Sequence, residues 1–149
     1  MEVLALLKDK ARTVLTIASN RTVDDAICLM ASGNVSALLV TEDDQPAGIF
    51  SERDVYHTYL RNKSTAFSEI ILENAMTRNL MVAEPEDAVT AVMARMIKAD
   101  ITHLPVMQEK RIVGMLTLKD LTEHQIEMLA DEIDQLKDYI ADLHDAGQY

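Results

Sequence analysis

Along the chain, runs with a strand-like apolar pattern alternate with runs of helical period, and the succession occurs twice in the same order. Val14-Leu15-Thr16-Ile17 reads as a short strand. Thr22-Val23-Asp24-Asp25 then has the spacing of a capping box. Apolar residues recur at Val23, Ala26, Ile27 and Met30, the i, i+3, i+4, i+7 face of a helix. Gly33 is expected to end that helix in the left-handed conformation. Residues 35–40 read as a second strand, Asp43-Asp44-Gln45-Pro46 as a turn, Ala47-Gly48-Ile49-Phe50 as a third strand, and Ser51 as the opening of a second helix.

Sliding the sequence on itself by 66 residues aligns residues 12–55 with 78–121 without a gap. Identities fall at Arg12/Arg78, Val23/Val89, Met30/Met96, Leu38/Leu104, Val40/Val106, Gly48/Gly114 and Asp54/Asp120. In the second copy Leu80-Met81-Val82-Ala83 reads as the first strand. Pro85-Glu86-Asp87 is expected to open the helix with acids where its dipole favours them, and Val89, Val92, Met93 and Met96 supply its apolar face. Ala99 stands where Gly33 stood, so Asp100 is expected to end this helix. Residues 101–106 form a strand containing Pro105, Gln108-Glu109-Lys110 a turn, residues 112–116 a strand, and Thr117 a helix start.

The unit is therefore strand, helix, strand, strand, helix. Residues 56–75 run from the first unit's last helix into the second's opening helix, with Arg61-Asn62-Lys63-Ser64 as the loop. A unit this small has an apolar sheet face to cover and is marginal alone. Two are expected to pack sheet to sheet about a pseudo-twofold axis. That gives a mixed α/β (α+β) fold with repeats at 3–62 and 66–125 and a C-terminal amphipathic helix at 126–149.

In that tail, Ile126, Leu129, Ile133, Leu136, Ile140 and Leu143 are spaced three, four, three, four, three. This is an a/d seam with isoleucine at a and leucine at d, a combination that favours parallel two-stranded coiled coils. The alternative is one amphipathic helix lying on its own domain. Asp131, Glu132, Asp134, Asp138 and Asp142 read as its solvated face.

Composition narrows the function. Hydrophobic residues make up 48% of the 149, and methionine is used nine times against 4% aromatics, so the core is aliphatic and adaptable. The net charge of −11 repels a phosphate backbone, which argues against a nucleic-acid role. No run approaches the ~20 apolar residues of a membrane span. The opening stretch, Met1 to Lys10, has an acid within it and lacks the basic start and cleavage site of a secretion signal. The lone Cys28 fits a reducing, cytoplasmic setting and reads as a small core residue.

Candidate chemistry sits in two related stretches, Gly48-Ile49-Phe50-Ser51-Glu52-Arg53-Asp54 and Gly114-Met115-Leu116-Thr117-Leu118-Lys119-Asp120. Each is readable as a helix cap. Each also puts a cation in a first helical turn where acids are favoured, at a strand-to-helix junction whose free N–H groups attract anions. Aspartate there can accept from vicinal hydroxyls, while the hydroxyl and cation can hold phosphate. The glycine fits a close-approaching ligand. His103, beside Pro105, faces a phosphate or is a structural histidine, and Ala37 in its place makes the first site the poorer one. His57, His124 and His144 are expected on helix surfaces. No metal spacing, phosphate loop or nucleophile elbow occurs, and no catalytic residue can be named.

With Ala75-Met76-Thr77-Arg78 and Thr102-His103-Leu104-Pro105-Val106, these stretches resemble a tandem pair of cystathionine-β-synthase-type (CBS) domains, a Bateman module, over residues 3–125. The chain also resembles small stand-alone bacterial CBS-pair proteins. The resemblance implies a non-enzymatic regulatory module that binds an adenosine ligand in clefts between the repeats. AMP or NAD comes first, then ATP, ADP or S-adenosylmethionine. Asp54 and Asp120 would take the ribose hydroxyls, and Ser51, Arg53, Thr117 and Lys119 would lie near phosphate. Adenine would rest against Thr16, Ile17, Val82 and Ala83 and against Ser36, Thr102, Leu104 and Pro105. A homodimer, and a regulated protein that reads the ligand state, are the implied partners. The other outcome is a dimerisation or interaction module with vestigial sites.

Overall fold

In the computed structural model, which describes residues 2–9 and 14–147, the elements run α1 (Val3–Asp9), β1 (Thr16–Ala18), α2 (Val23–Gly33), β2 (Ala37–Glu42), β3 (Gln45–Ser51) and α3 (Glu52–Arg61). Two short 3₁₀ turns follow at Phe67–Glu69 and Leu72–Asn74. The chain then runs α4 (Val89–Ala99), β4 (His103–Gln108), β5 (Arg111–Thr117) and α5 (Leu118–Asp145). Arg12, one of the repeated identities, and Lys10 lie outside the described residues.

The capping box at Thr22 forms: its hydroxyl accepts from the Asp25 amide at 3.1 Å, and the Asp25 carboxylate accepts from the Thr22 amide at 3.3 Å. The apolar stripes of both first helices are the ones their spacing predicts. Val23, Ala26 and Met30 are buried in one core and Val89, Val92 and Met96 in a second. Cys28 does not follow the expectation of a core residue. It is exposed, because it lies two residues from both Ala26 and Met30 and so points away from the buried face.

The first helix ends one residue later than its glycine suggests, with Asn34 left-handed (φ 51°), and the second ends at left-handed Asp100 (φ 55°) as expected. Asparagine and aspartate tolerate this conformation best among residues with a side chain. A Cβ at Gly33 would crowd Leu15 Cδ1, the end of a side chain that can rotate. The second repeat's first helix begins at Val89 with Ala88 as its cap. Pro85-Glu86-Asp87 is a turn ahead of it, held by the Glu84 amide donating to Asp87 at 2.9 Å.

The sheets form two hairpins, with β2 antiparallel to β3 and β4 antiparallel to β5. Their loops are tighter than predicted. Only Asp43-Asp44 and Glu109-Lys110 turn, all four with positive φ, while Gln45, Pro46 and Gln108 already belong to strands. Paired left-handed residues suit the twist of a two-residue hairpin. β1 adds to β2 in parallel.

The equivalent strand at residues 80–83 does not form. Only Ala83 bridges to Val106. Two prolines each remove a donor. Pro85 stands where the Ser19 amide donates to the Thr41 carbonyl at 2.9 Å in the first repeat. In the first repeat the Leu39 amide donates to the Leu15 carbonyl at 3.0 Å. Pro105 occupies the matching place and has no N–H to give Met81. What remains is Ala83 donating to the Pro105 carbonyl at 3.0 Å and Met107 donating to Ala83 at 2.9 Å.

The opening segments are exchanged between the repeats. Val3, Leu6 and Leu7 of α1 are buried in the second core, beside Val89, Leu104 and Leu116, and the Val3 amide donates to the Asp87 carbonyl at 2.9 Å. Ile70, Leu72 and Met76 are buried in the first core, beside Val23, Leu38 and Phe50, and the Val23 amide donates to the Ile70 carbonyl at 2.8 Å. The stretch Ala75 to Arg78, which the sequence places in the second repeat, packs against the first: Thr77 exchanges both backbone hydrogen bonds with Ile49. The C-terminal amphipathic helix forms as the continuation of the helix that Thr117 opens. α5 runs unbroken from its cap at Thr117 to Asp145, and only Asp120 and Leu121 along it are buried.

Candidate functional site

A cleft of about 1110 Å³ lies between the repeats. Its first wall comes from α2, β2 and α3, with Asn34, Ser36, Ala37, Glu52 and Tyr56. Its second comes from β4 and β5, with His103, Met115 and Thr117. Ser36 and His103 stand at equivalent ends of β2 and β4 and meet across it, with Ser36 Oγ 2.7 Å from His103 Nε2. The other ring nitrogen, Nδ1, is 3.0 Å from Thr102 Oγ1. The three side chains make a polar line reaching from one repeat into the other. The strand-to-helix junctions beside them are fixed by equivalent backbone bonds, Glu52 N to Ser36 O at 3.1 Å and Leu118 N to Thr102 O at 2.9 Å.

Of the residues singled out in the sequence, the cleft thus gathers Ser36, His103 and Thr117. Arg53 and Asp54 face a separate, smaller hollow of about 240 Å³ with His57, Arg61 and Thr77. There the Asp54 carboxylate is engaged on both oxygens. Oδ2 accepts from the Ser51 amide at 2.8 Å and the Ser51 hydroxyl at 3.2 Å, and Oδ1 from the Thr77 hydroxyl at 2.9 Å. Arg53 crosses to the other repeat and donates to the Asp100 carbonyl at 2.9 Å, with that residue's carboxylate at 3.4 Å. The cation that looked out of place in its own helix thus serves the C-terminal end of α4, where carbonyls lack partners. Lys119 does not mirror it; its ammonium lies 3.8 Å from Glu123 and is largely exposed.

Asp120 is 1% exposed. Its carboxylate accepts from the Thr117 amide at 3.1 Å, and its own amide donates to the Thr117 hydroxyl at 3.0 Å. Ala83 and Leu104 are fully buried in the second core, and Pro105 is buried beside them. Val82 gives its carbonyl to Arg95 at 3.1 Å. Thr16 is exposed on β1, and Ile17 packs on the first core.

The glycine expectation is corrected. A Cβ at Gly48 would lie 2.5 Å from the Thr77 carbonyl oxygen, and one at Gly114 would lie 2.5 Å from Leu7 Cδ2. The close neighbours are the exchanged opening segments and not a ligand. His124 is half-buried and not on the surface, with Nε2 enclosed and without a partner among the described residues. The cleft residues that motif reasoning passed over are Glu52 and Tyr56. Their i, i+4 spacing on α3 beside Ser51 was the available signal. Among the described residues no His/Cys/Asp/Glu group is arranged to hold a metal, and no described helix is long and apolar enough to cross a membrane.

The described geometry has counterparts elsewhere. The family model for the CBS domain matches the chain twice, at residues 8–61 and 68–127. The chain is 31% identical over 150 residues to the Arabidopsis thaliana protein CBSX3, a mitochondrial CBS domain-containing protein, covering 91% of this chain and 69% of that one. Of three further curated relatives it spans only 22%, 38% and 23% of the length. A putative signal-transduction protein with CBS domains from Burkholderia ambifaria superposes with a TM-score of 0.80 at 32% identity, over 85% of this chain and 95% of that one. The CBS domain pair of protein MJ0100, solved with 5′-methylthioadenosine and S-adenosyl-L-methionine, superposes with a TM-score of 0.74 at 23% identity, over 86% of this chain and 98% of that one.

Proposed function

Because the chain belongs to the CBS domain family, as a tandem pair, we propose that it is a non-enzymatic regulatory module that binds an adenosine-containing ligand between its repeats and acts as a homodimer. The observation that carries this reading is the inter-repeat cleft with Ser36 and His103 joined across it. A ligand seated there touches both repeats at once. It therefore favours one relative orientation of the two, which a partner protein can read as a population shift. The adenosine class is supported by the two nucleoside ligands of the MJ0100 pair.

Thr117, next to Asp120, and His103 would contact the ligand from the second repeat, and Ser36 from the first. The described lining contains the acid Glu52 and no lysine or arginine. That electrostatic setting suits an adenosine ligand of low negative charge. AMP, NAD(H), S-adenosylmethionine and 5′-methylthioadenosine therefore precede ADP and ATP, whose longer phosphate chains would find no fixed cation among those residues.

The test is the melting temperature of the full chain against AMP, ADP, ATP, NAD, NADH, S-adenosylmethionine and 5′-methylthioadenosine, with GTP as control. A ligand at about 100 times its dissociation constant adds about 2.7 kcal/mol to stability. If no adenine compound moves the melt, the ligand reading fails and the chain is an interaction module. The homodimer has its own support. Ile126, Leu129, Ile133, Leu136 and Ile140 lie exposed along one face of α5, an apolar stripe of the kind that marks an interaction surface.

A further inference from the structure

We propose that a second copy of this chain lies along α5 as a parallel two-stranded coiled coil over residues 126–143, its direction set by Glu132 of one copy and Lys137 of the other. The proposal rests on the homodimer reading and adds its seam and its orientation.

Sequence spacing left two occupants for the apolar stripe, a second copy or the chain's own domain. The structure removes the latter. Past Leu121 no described residue of α5 is buried, and Ile126 is 61%, Ile133 53% and Leu136 59% exposed. A helix carrying such a stripe gains most of its stability from what covers it. The seam rises about 26 Å along a continuous helix, with β-branched isoleucine at every a position and leucine at every d, the combination that selects two strands.

Charge then selects the direction. Glu127, Asp131, Asp134, Asp138, Asp142 and Asp145 all fall at the outward b, c or f positions. The one acid at a flanking position is Glu132, at g. The one lysine is Lys137, at e of the next heptad, five residues on. In a parallel pair, g of one helix faces the following e of the other, so Glu132 meets Lys137 twice, once on each side of the seam. In an antiparallel pair, g meets g and e meets e, and these two residues cannot pair. The flanking positions of the seam thus hold their single opposite-charge match at the spacing that only the parallel arrangement uses.

The experiment uses the full chain with Cys28→Ser as background. Sedimentation equilibrium should give a dimer, and Ile133→Asp should make it a monomer whose domain melts as before, since Ile133 is 53% exposed and belongs to neither core. Glu132→Lys and Lys137→Glu should each weaken the dimer about tenfold, and the double exchange should restore it. Leu129→Cys and Leu143→Cys should each form a disulfide-linked dimer by themselves. A monomeric parent chain would overturn the homodimer reading and this inference with it. Three results would leave the homodimer standing and sink the parallel seam: a dimer indifferent to Ile133→Asp, cross-linking only when the two cysteine variants are mixed, or no rescue by the charge exchange.

Discussion

Ser36 Oγ lies 2.7 Å from His103 Nε2, although the two residues belong to different repeats. The bond joins the facing walls of the cleft at the point where each second strand begins. It braces the cleft by tying its two walls together.

That brace has a measurable value. Replacing Ser36 by alanine should cost about 0.5–1.5 kcal/mol in urea unfolding. His103→Ala should cost a similar amount, and the double variant less than the sum. A coupling energy indistinguishable from zero in that cycle would show that the contact does not hold the repeats together.

Pro105→Leu gives the second repeat the residue that the first has at Leu39. The new amide should donate to the Met81 carbonyl and extend residues 80–83 into a third strand. Hydrogen exchange reads this directly: the amide of the substituted residue should be protected to the degree of the Leu39 amide. Rapid exchange there would mean that something other than the missing donor keeps the strand apart.

Two glycines separate backbone from side-chain crowding. Gly48→Ala brings a methyl to within 2.5 Å of a carbonyl oxygen, at Thr77, that is itself hydrogen-bonded to Ile49 and has little room to move. A loss of about 1–3 kcal/mol is expected. Gly114→Ala meets only the end of Leu7, which can rotate, so the loss should be smaller. Equal losses in denaturant titrations would contradict this account of the packing.

Arg53→Ala should destabilise the ligand-free protein by up to about 1 kcal/mol, because a half-exposed guanidinium is partly screened by water while it still serves the Asp100 carbonyl. Lys119→Ala should change stability by less than a few tenths of a kcal/mol. If the two are equivalent in thermal melts, the inter-repeat bond of Arg53 has no energetic weight.

The Arg21 guanidinium, bonded to Asp25, and then the Thr22 cap hold the Asp25 carboxyl below the ordinary carboxylate range. The folded value lies under the unfolded one, so the stabilisation is present above about pH 4 and is lost as pH falls through the folded value. In an NMR titration, Arg21→Met should move the Asp25 midpoint upward. An unmoved midpoint would show that the pair does not persist in solution.

Local signals were legible in the sequence because they are carried by neighbours in the chain. The capping box at Thr22, the buried stripe from Val23 to Met30 and the left-handed Asp100 each depend on residues within one or two turns. The repeat and the family were legible through Gly48 to Asp54 and its second copy. What escaped depends on residues far apart. Pro105 removes a ladder donor from a strand more than 20 residues earlier in the chain. Gly48 is needed because Thr77 crosses it. Arg53 looked like a phosphate ligand because its bond partner, Asp100, lies in the other repeat. Spacing placed Asp54 and Asp120 in the right turns, but only packing showed that the first is already satisfied by Ser51 and Thr77 and the second shut from solvent.

The exchange of opening segments has a consequence for ancestry. A chain with only residues 1–65 would contain Val23, Leu38 and Phe50 but not Ile70 and Leu72, which cover them. It would carry Val3 and Leu6, which here fill the other repeat's core. Two copies of such a half-length chain could complete each other by trading their first segments across a twofold axis. Duplication of its gene would then turn that trade between molecules into a trade within one. The present protein reads as a swapped dimer whose two subunits have been joined end to end.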